Sequence, residues 1–207
     1  MYLAMTEGLS RFLDGVDRET EAAFGELIEK MASEYKAGLD EDPIGAMMGI
    51  HRLLDDTVAE HVVKHSCTRG CSHCCHLSVD IWPPEAQVIE RYCKEHNIPI
   101  DLEYLGKQMG YAPLELPISP VSACVFLKNG ECSIYEARPI MCRKYFVATP
   151  PEQCDHKKYT PQNYRVTMVA NVYVELVVSA VINALEPKFV AERMPKMILK
   201  QLNVSGA

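Results

Sequence analysis

The chain has 207 residues, 48% of them hydrophobic and 24% charged, an ordinary globular composition with ample apolar material for a core. A small scaffold that needs disulfides to fold is therefore excluded. The net charge of -7 argues against a general nucleic-acid binder, which would carry a basic face.

The opening segment, MYLAMTEGLSRFLDG, has no basic stretch followed by an apolar one, so no secretory signal is expected there. The expected location is cytoplasmic. Thiols clustered in that compartment stay reduced and read as metal ligands or catalytic groups. The cysteine count of 9 is odd, so a fully paired disulfide framework would leave one over.

Residues 10 to 39 are expected to be helical, with Phe24, Leu27, Ile28, Met31 and Tyr35 on one face. Asp17 is the expected N-cap and Gly38 the expected stop. A second helix is expected over residues 43 to 65, opened by Pro43. Its Ile44, Met47, Met48, His51, Leu54, Val58, His61 and Val62 fall on one side, a spacing more typical of core than of a cofactor site.

Leu77, Val79 and Ile81 alternate like a short strand, and Pro83 and Pro84 start a helix, PEAQVIERYCKEH. A stretch with three further prolines runs to Pro120. ACVFLKNGECSIYEARPIMCRKY then reads as a strand, a Lys128-Asn129-Gly130 turn, a second strand and a helical turn set off by Pro139. An Asn-Gly pair between apolar runs is a strong hairpin signal.

From about Gln162 to Leu185 runs the longest apolar stretch. Asn171, Glu175, Ser179 and Asn183 form one polar stripe along it, and a carboxylate near the midpoint would be costly in lipid. A buried helix with one wet edge, closed by Pro187, is expected rather than a membrane span. A short helix from about Phe189 to Leu202 follows.

The chemistry is concentrated in the cysteines. HSCTRGCSHCCHLSVDIW puts Cys67, Cys71, Cys74 and Cys75 within nine positions, and Cys124, Cys132, Cys142 and Cys154 make a second set. Thiolates are soft ligands suited to zinc, copper(I) and iron–sulfur clusters. Neighbouring side chains in extended backbone point apart, so Cys74 and Cys75 are expected to do different jobs. One completes the group with Cys67 and Cys71; the other is left for a second metal, for packing or as a free thiol. Taken alone, Cys-x-x-x-Cys-x-x-Cys is also the spacing of radical S-adenosylmethionine enzymes. Two helices precede it here, however, and no run of alternating strands and helices follows.

CTRGCSHCC followed by CVFLKNGECSIYEARPIMCR resembles the YkgJ-like cysteine-cluster family, whose domain is described as zinc- or iron-chelating. The resemblance covers roughly residues 67 to 156, with Cys154 as its late cysteine. The same region is similar to the cysteine domain of flagellin lysine-N-methylase, where it implies an iron–sulfur cluster. The three residues between Cys67 and Cys71 fit that branch better. No Gly-rich loop after a strand offers a methyl-donor site, so the resemblance does not carry the methylase activity over.

Other side chains have plainer readings. Cys93 stands alone on its helix and is expected to pack as a small hydrophobe. His61 and His65 are four apart, a two-ligand spacing, but lack the His-Glu-x-x-His pattern and read as surface or core. His73 and His76 read as solvated loop residues. Arg138 and Arg143 flank Cys142, where guanidinium groups can offset thiolate charge and tune a redox potential. A structural role is favoured for Arg138, and a surface salt bridge is an equal reading for Arg143.

The expected fold is mainly α: a helical domain with a small cysteine-rich metal-binding centre containing a short β-hairpin. Residues 1–66 form a helical hairpin, 67–156 the cysteine region, and 157–207 the C-terminal helices. The expected function is metal binding through both cysteine sets, with an iron–sulfur cluster (4Fe-4S) as the first cofactor and zinc as the alternative. The cluster would serve electron transfer or support a modification reaction. Zinc would make the chain a structural or interaction module, and an open iron site would make it an enzyme. A protein partner or substrate is expected; general nucleic-acid binding and a membrane span are not.

Overall fold

Local signals set most helix starts. In this computed structural model, which describes residues 6–62, 64–109, 123–155, 166–186 and 188–204, α1 (Glu7–Leu13) is capped by the Thr6 side chain, which accepts from the Leu9 backbone N–H at 3.1 Å. The α2 helix (Arg18–Glu41) starts at Asp17, whose carboxylate accepts from the Thr20 N–H at 2.8 Å. One expected helix is thus two, because Gly15 at φ +90° breaks the chain between them. The second surprise is Gly38, which lies inside α2 rather than ending it. A Cβ there would stand 3.3 Å from the Ala46 Cβ on α3 (Pro43–His61), so this glycine serves a close approach of two helices. Asp42 then caps α3 by accepting from the Gly45 N–H at 3.0 Å, with Pro43 in the first turn.

The chain divides into two units, and the first takes residues 1–63 and 170–190. Its core gathers Leu9, Leu13, Ile28, Leu176 and Ala180, with Phe24, Met31 and Tyr35 packed against them. Leu27, expected on the same face, is exposed. The apolar stretch forms α7 (Val172–Leu185), capped by the Asn171 side chain. Among the described residues, no helix is long and apolar enough to cross a membrane.

The polar stripe of α7 is partly exposed at Asn171 and Asn183 but not wet at its middle. Ser179 and Glu175 are buried, and the Ser179 hydroxyl accepts from the Thr6 N–H at 3.1 Å. The α1 segment covers the stripe so closely that a Cβ at Gly8 would lie 2.7 Å from the Glu175 carboxyl carbon. Gly8→Ala gains up to about 1 kcal/mol of helix propensity but overpacks this contact, at ~1–3 kcal/mol. A net loss of about 1 kcal/mol is expected, visible as faster proteolysis within residues 6–17; unchanged proteolysis would count against the close docking.

The second unit takes residues 64–169 and 191–207. Helix α4 (Pro83–Glu95) starts at its proline pair, and α5 (Leu102–Gln108) is capped by Asp101. Both pack against α8 (Met194–Gln201), and Gln201 donates to Glu90 across the α4–α8 contact at 2.7 Å. The expected strand over 77–81 shrinks to β1 (Asp80–Ile81), which pairs antiparallel with β4 (Glu192–Arg193). That pairing takes up the residues just before α8 and delays its start to Met194. The β2 (Leu127–Lys128) and β3 (Glu131–Cys132) strands form the expected hairpin. Asn129 and Gly130 both have positive φ, 51° and 81°, as a type I′ turn requires. The short α6 (Ile140–Lys144) follows Pro139. The fold is mainly α with small antiparallel strand pairs. The prolines leading to Pro120, the expected helix start near Gln162 and Pro187 lie outside the described residues.

Candidate metal centre

Short, irregular elements of the second unit carry the eight clustered cysteines. Cys67 and Cys71 lie on a loop, and Cys74 and Cys75 share a 3-10 turn, His73–His76. Cys124 precedes the hairpin, Cys132 lies on β3, Cys142 on α6, and Cys154 ends a second 3-10 turn, Pro151–Cys154. All are free thiols; Cys154 is buried, Cys74 exposed and the others half-buried.

Backbone ties draw these pieces together. The Cys124 N–H donates to the Cys75 carbonyl at 2.6 Å, and the Ser66 N–H to the Val147 carbonyl at 2.8 Å. The two 3-10 turns pack on each other, which brings the Cys154 turn to the turn that holds Cys74 and Cys75.

The sulfurs sit in a donor-rich setting. Backbone N–H groups of Phe126, Ile134 and Val147 donate to Cys124, Cys132 and Cys67. Among the described residues, the buried Thr149 hydroxyl has no oxygen or nitrogen partner, and it stands beside Cys154, where it favours the thiolate. Such donors stabilise a thiolate but are weakly used by a protonated thiol.

Burial and mutual repulsion oppose ionisation. Burial pushes Cys124 up to about 12, and burial, then the thiols of Cys124, Cys74 and Cys132, raise Cys142 well above the usual thiol range. Burial likewise raises Cys67, Cys132 and Cys154. Cys74 is the exception. A hydrogen bond from the Cys75 thiol, aided by the Arg138 charge, lowers it to about 7, while Cys75 is raised by the same bond.

Each of these thiols therefore acts on others across the two sets. Among the described residues, no three Cys, His, Asp or Glu side chains stand close enough together to form an ion-binding group. Thiolates repel, and closing four of them onto one point requires a cation. The donor set suits such a cation: soft sulfurs in excess of four, with hydrogen-bond donors aimed at them.

The two arginines are placed differently from each other. Arg143, read as an equal candidate for a surface salt bridge, is buried. It donates through Nε to the Arg138 carbonyl at 2.8 Å and through Nη2 to the Glu136 carbonyl at 2.5 Å. Its guanidinium braces the chain that carries Cys142, and its charge also favours the Cys132 thiolate. Arg138 donates to the Tyr135 carbonyl at 2.9 Å, and its guanidinium lies 3.9 Å from the Tyr135 ring centroid.

The histidine pair separates, because α3 ends at His61 and leaves His65 beyond it. The His61 ring stacks on Tyr173, and the His65 ring lies against Phe146. Histidines 73 and 76 flank Cys74 and Cys75 on the 3-10 turn. Cys93 is buried on α4 and pushed up to about 11 by that burial, consistent with a packing role.

Sequence reasoning missed Glu85. This residue is fully buried, and its carboxylate accepts from the Trp82 N–H at 3.0 Å and the Ile140 N–H at 2.7 Å. It thereby joins the start of α4 to the start of α6, which carries Cys142. Its position three residues past Trp82 is a helix-start signal, but only the tertiary fold supplies Ile140.

Residues 66–164 match the family model CxxCxxCC, described as "Putative zinc- or iron-chelating domain". Neither a curated protein nor a solved structure matches the chain. The soft donors and their hydrogen-bonded sulfurs lie within residues 66–164, the span that is similar to this family of zinc- or iron-chelating domains.

Proposed function

We propose that the chain is a cytoplasmic protein that holds an iron–sulfur cluster through its two cysteine sets, for electron transfer or in support of a modification reaction. The observation that carries this reading is the number of free thiols gathered in one unit. Cys67, Cys71, Cys74, Cys75, Cys124, Cys132, Cys142 and Cys154 are eight free thiols carried by the second unit, more than one tetrahedral zinc ion can use. A bound cluster would supply one-electron chemistry. The chain's part is to hold the sulfurs, donate N–H hydrogen bonds to Cys67, Cys124 and Cys132, and set positive charge beside them. Arg138, near Cys74 and Cys132, and Arg143, near Cys132, would favour the reduced form and raise its potential.

A second reading is a zinc-stabilised interaction module. It draws on the N–H donors from Phe126 to Cys124 and from Ile134 to Cys132, a pattern that serves zinc thiolates equally well. Purification without oxygen separates the two. Brown protein that contains iron and acid-labile sulfide and bleaches with dithionite is expected. Colourless protein with stoichiometric zinc and no sulfide, from cells with ample iron, would replace the first reading by the second.

A further inference from the structure

We propose that Tyr135 is a positioning residue for metal binding: its ring, gripped by Arg69 and Arg138, holds the loop between Cys67 and Cys71 against the segment that carries Cys132. This deepens the reading of these thiols as metal ligands and rests on it, whichever metal is bound.

The loop has a fixed corner. The Cys71 N–H donates to the Thr68 carbonyl at 3.0 Å, and Gly70 has φ +88°, the backbone that a type II turn needs at its third residue. Arg69, the second residue of that turn, is exposed. Its guanidinium carbon lies 5.4 Å from the Tyr135 ring centroid. A Cβ on Gly70 would stand 3.8 Å from a Glu131 carboxylate oxygen, so the same corner borders β3 at the residue before Cys132.

A separate chain of contacts fixes the ring. Tyr135 opens the 3-10 turn Tyr135–Ala137, shortly after Cys132. Arg138 folds back onto it: its Nη1 donates to the Tyr135 carbonyl at 2.9 Å, and its guanidinium carbon lies 3.9 Å from the ring centroid. Buried Arg143, the neighbour of Cys142, donates to the carbonyls of Glu136 and Arg138 and so braces the end of that turn. The ring therefore links residues beside Cys132 and Cys142 to the turn between Cys67 and Cys71, and no link in the chain is made by a sulfur. An aromatic face attracts guanidinium groups through its quadrupole. A loop ordered by such contacts loses less freedom when a ligand arrives, and binding is tighter for it.

The test is a double-mutant cycle on the full-length, reduced, metal-free chain with zinc as the probe. Affinity is read by competition with a chromophoric chelator, and loop order by hydrogen exchange over residues 67–71. Tyr135→Ala is expected to weaken zinc binding about tenfold, the scale of two guanidinium contacts with one ring, and to speed loop exchange in the metal-free chain. Tyr135→Phe keeps the ring and should bind within about twofold of the wild type. In an Arg69→Gln background, adding Tyr135→Ala should weaken zinc only about threefold, because the contact is already gone. The charge of Arg69 acts on a bound cation with or without the ring, so the cycle cancels it. Equal zinc affinity in Tyr135→Ala and the wild type, or an equal loss in both backgrounds, would overturn the positioning role and leave thiol ligation standing. A wild-type chain that binds no zinc would remove thiol ligation and the positioning role with it. Should Tyr135→Ala fail to fold, Arg69→Gln decides: faster loop exchange supports the proposal, and unchanged exchange overturns it.

Discussion

Removing the metal, or replacing Cys132 by Ser, is expected to raise hydrogen exchange across residues 64–155 and leave α2, α3 and α7 protected. The reason lies in element length. Between Lys64 and Asp155 the cysteines ride on two-residue strands, 3-10 turns and the five-residue α6, none able to persist alone, since helices under ~12–15 residues are marginal in water. The first unit instead has helices of 24, 19 and 14 residues around its own apolar core. Metal binding to unfolded small domains supplies about 10–16 kcal/mol in zinc-finger peptides at neutral pH. Even a fraction of that exceeds what the hairpin and α6 could gain alone. The amides of Phe126, Ile134 and Val147, which donate to sulfur, are the reporters. Each should lose protection by ~100-fold or more, which corresponds to about 3 kcal/mol. Exchange at these amides unchanged by chelation would show that the region is held by its apolar contacts without the metal.

Local signals with one physical cause were legible in the sequence. Asp17, Pro43, Pro83 and the Asn129-Gly130 turn act on their own backbone neighbours, and each stands where its chemistry requires. Misreadings came where a distant segment decides the outcome. Gly38 read as a stop because glycine ends helices, yet Ala46 on the next helix is what demands a missing side chain there. The α7 stripe read as wet because its residues are polar, yet Thr6 and Gly8 come from more than 160 positions away to cover Ser179 and Glu175. Alternation at Leu77, Val79 and Ile81 suggested a longer strand than its two-residue partner β4 can pair. For the metal region, cysteine spacing gave the two sets but not the N–H and hydroxyl donors around the sulfurs. Those depend on Val147 and Thr149, residues without any motif of their own.

Glu85→Ala is expected to destabilise the second unit by about 3 kcal/mol and to weaken the hold on Cys142. The carboxylate is fully buried and accepts from two backbone N–H groups. A buried donor left without a partner costs ~1–3 kcal/mol. Neither N–H has a ready substitute: Trp82 precedes two prolines at the start of α4, and Ile140 opens α6 immediately after Pro139, with no side-chain cap from its own segment. Glu85 also lies close enough to Cys142 to disfavour its thiolate, so its retention beside a metal ligand is explained by the tie to α6 rather than by charge. Glu85→Gln separates these effects. Its amide oxygen can keep one N–H while the repulsion on Cys142 is relieved, so a stability loss of roughly half that of Ala is expected. Trp82, the single tryptophan of the chain and buried beside this carboxylate, makes the measurement local. Denaturation followed by its emission reports the second unit alone, and far-ultraviolet circular dichroism, dominated by the long helices of the first, should shift much less. If Glu85→Ala moves the Trp82 transition by less than about 0.5 kcal/mol, the range of an ordinary surface substitution, the carboxylate does not anchor α6.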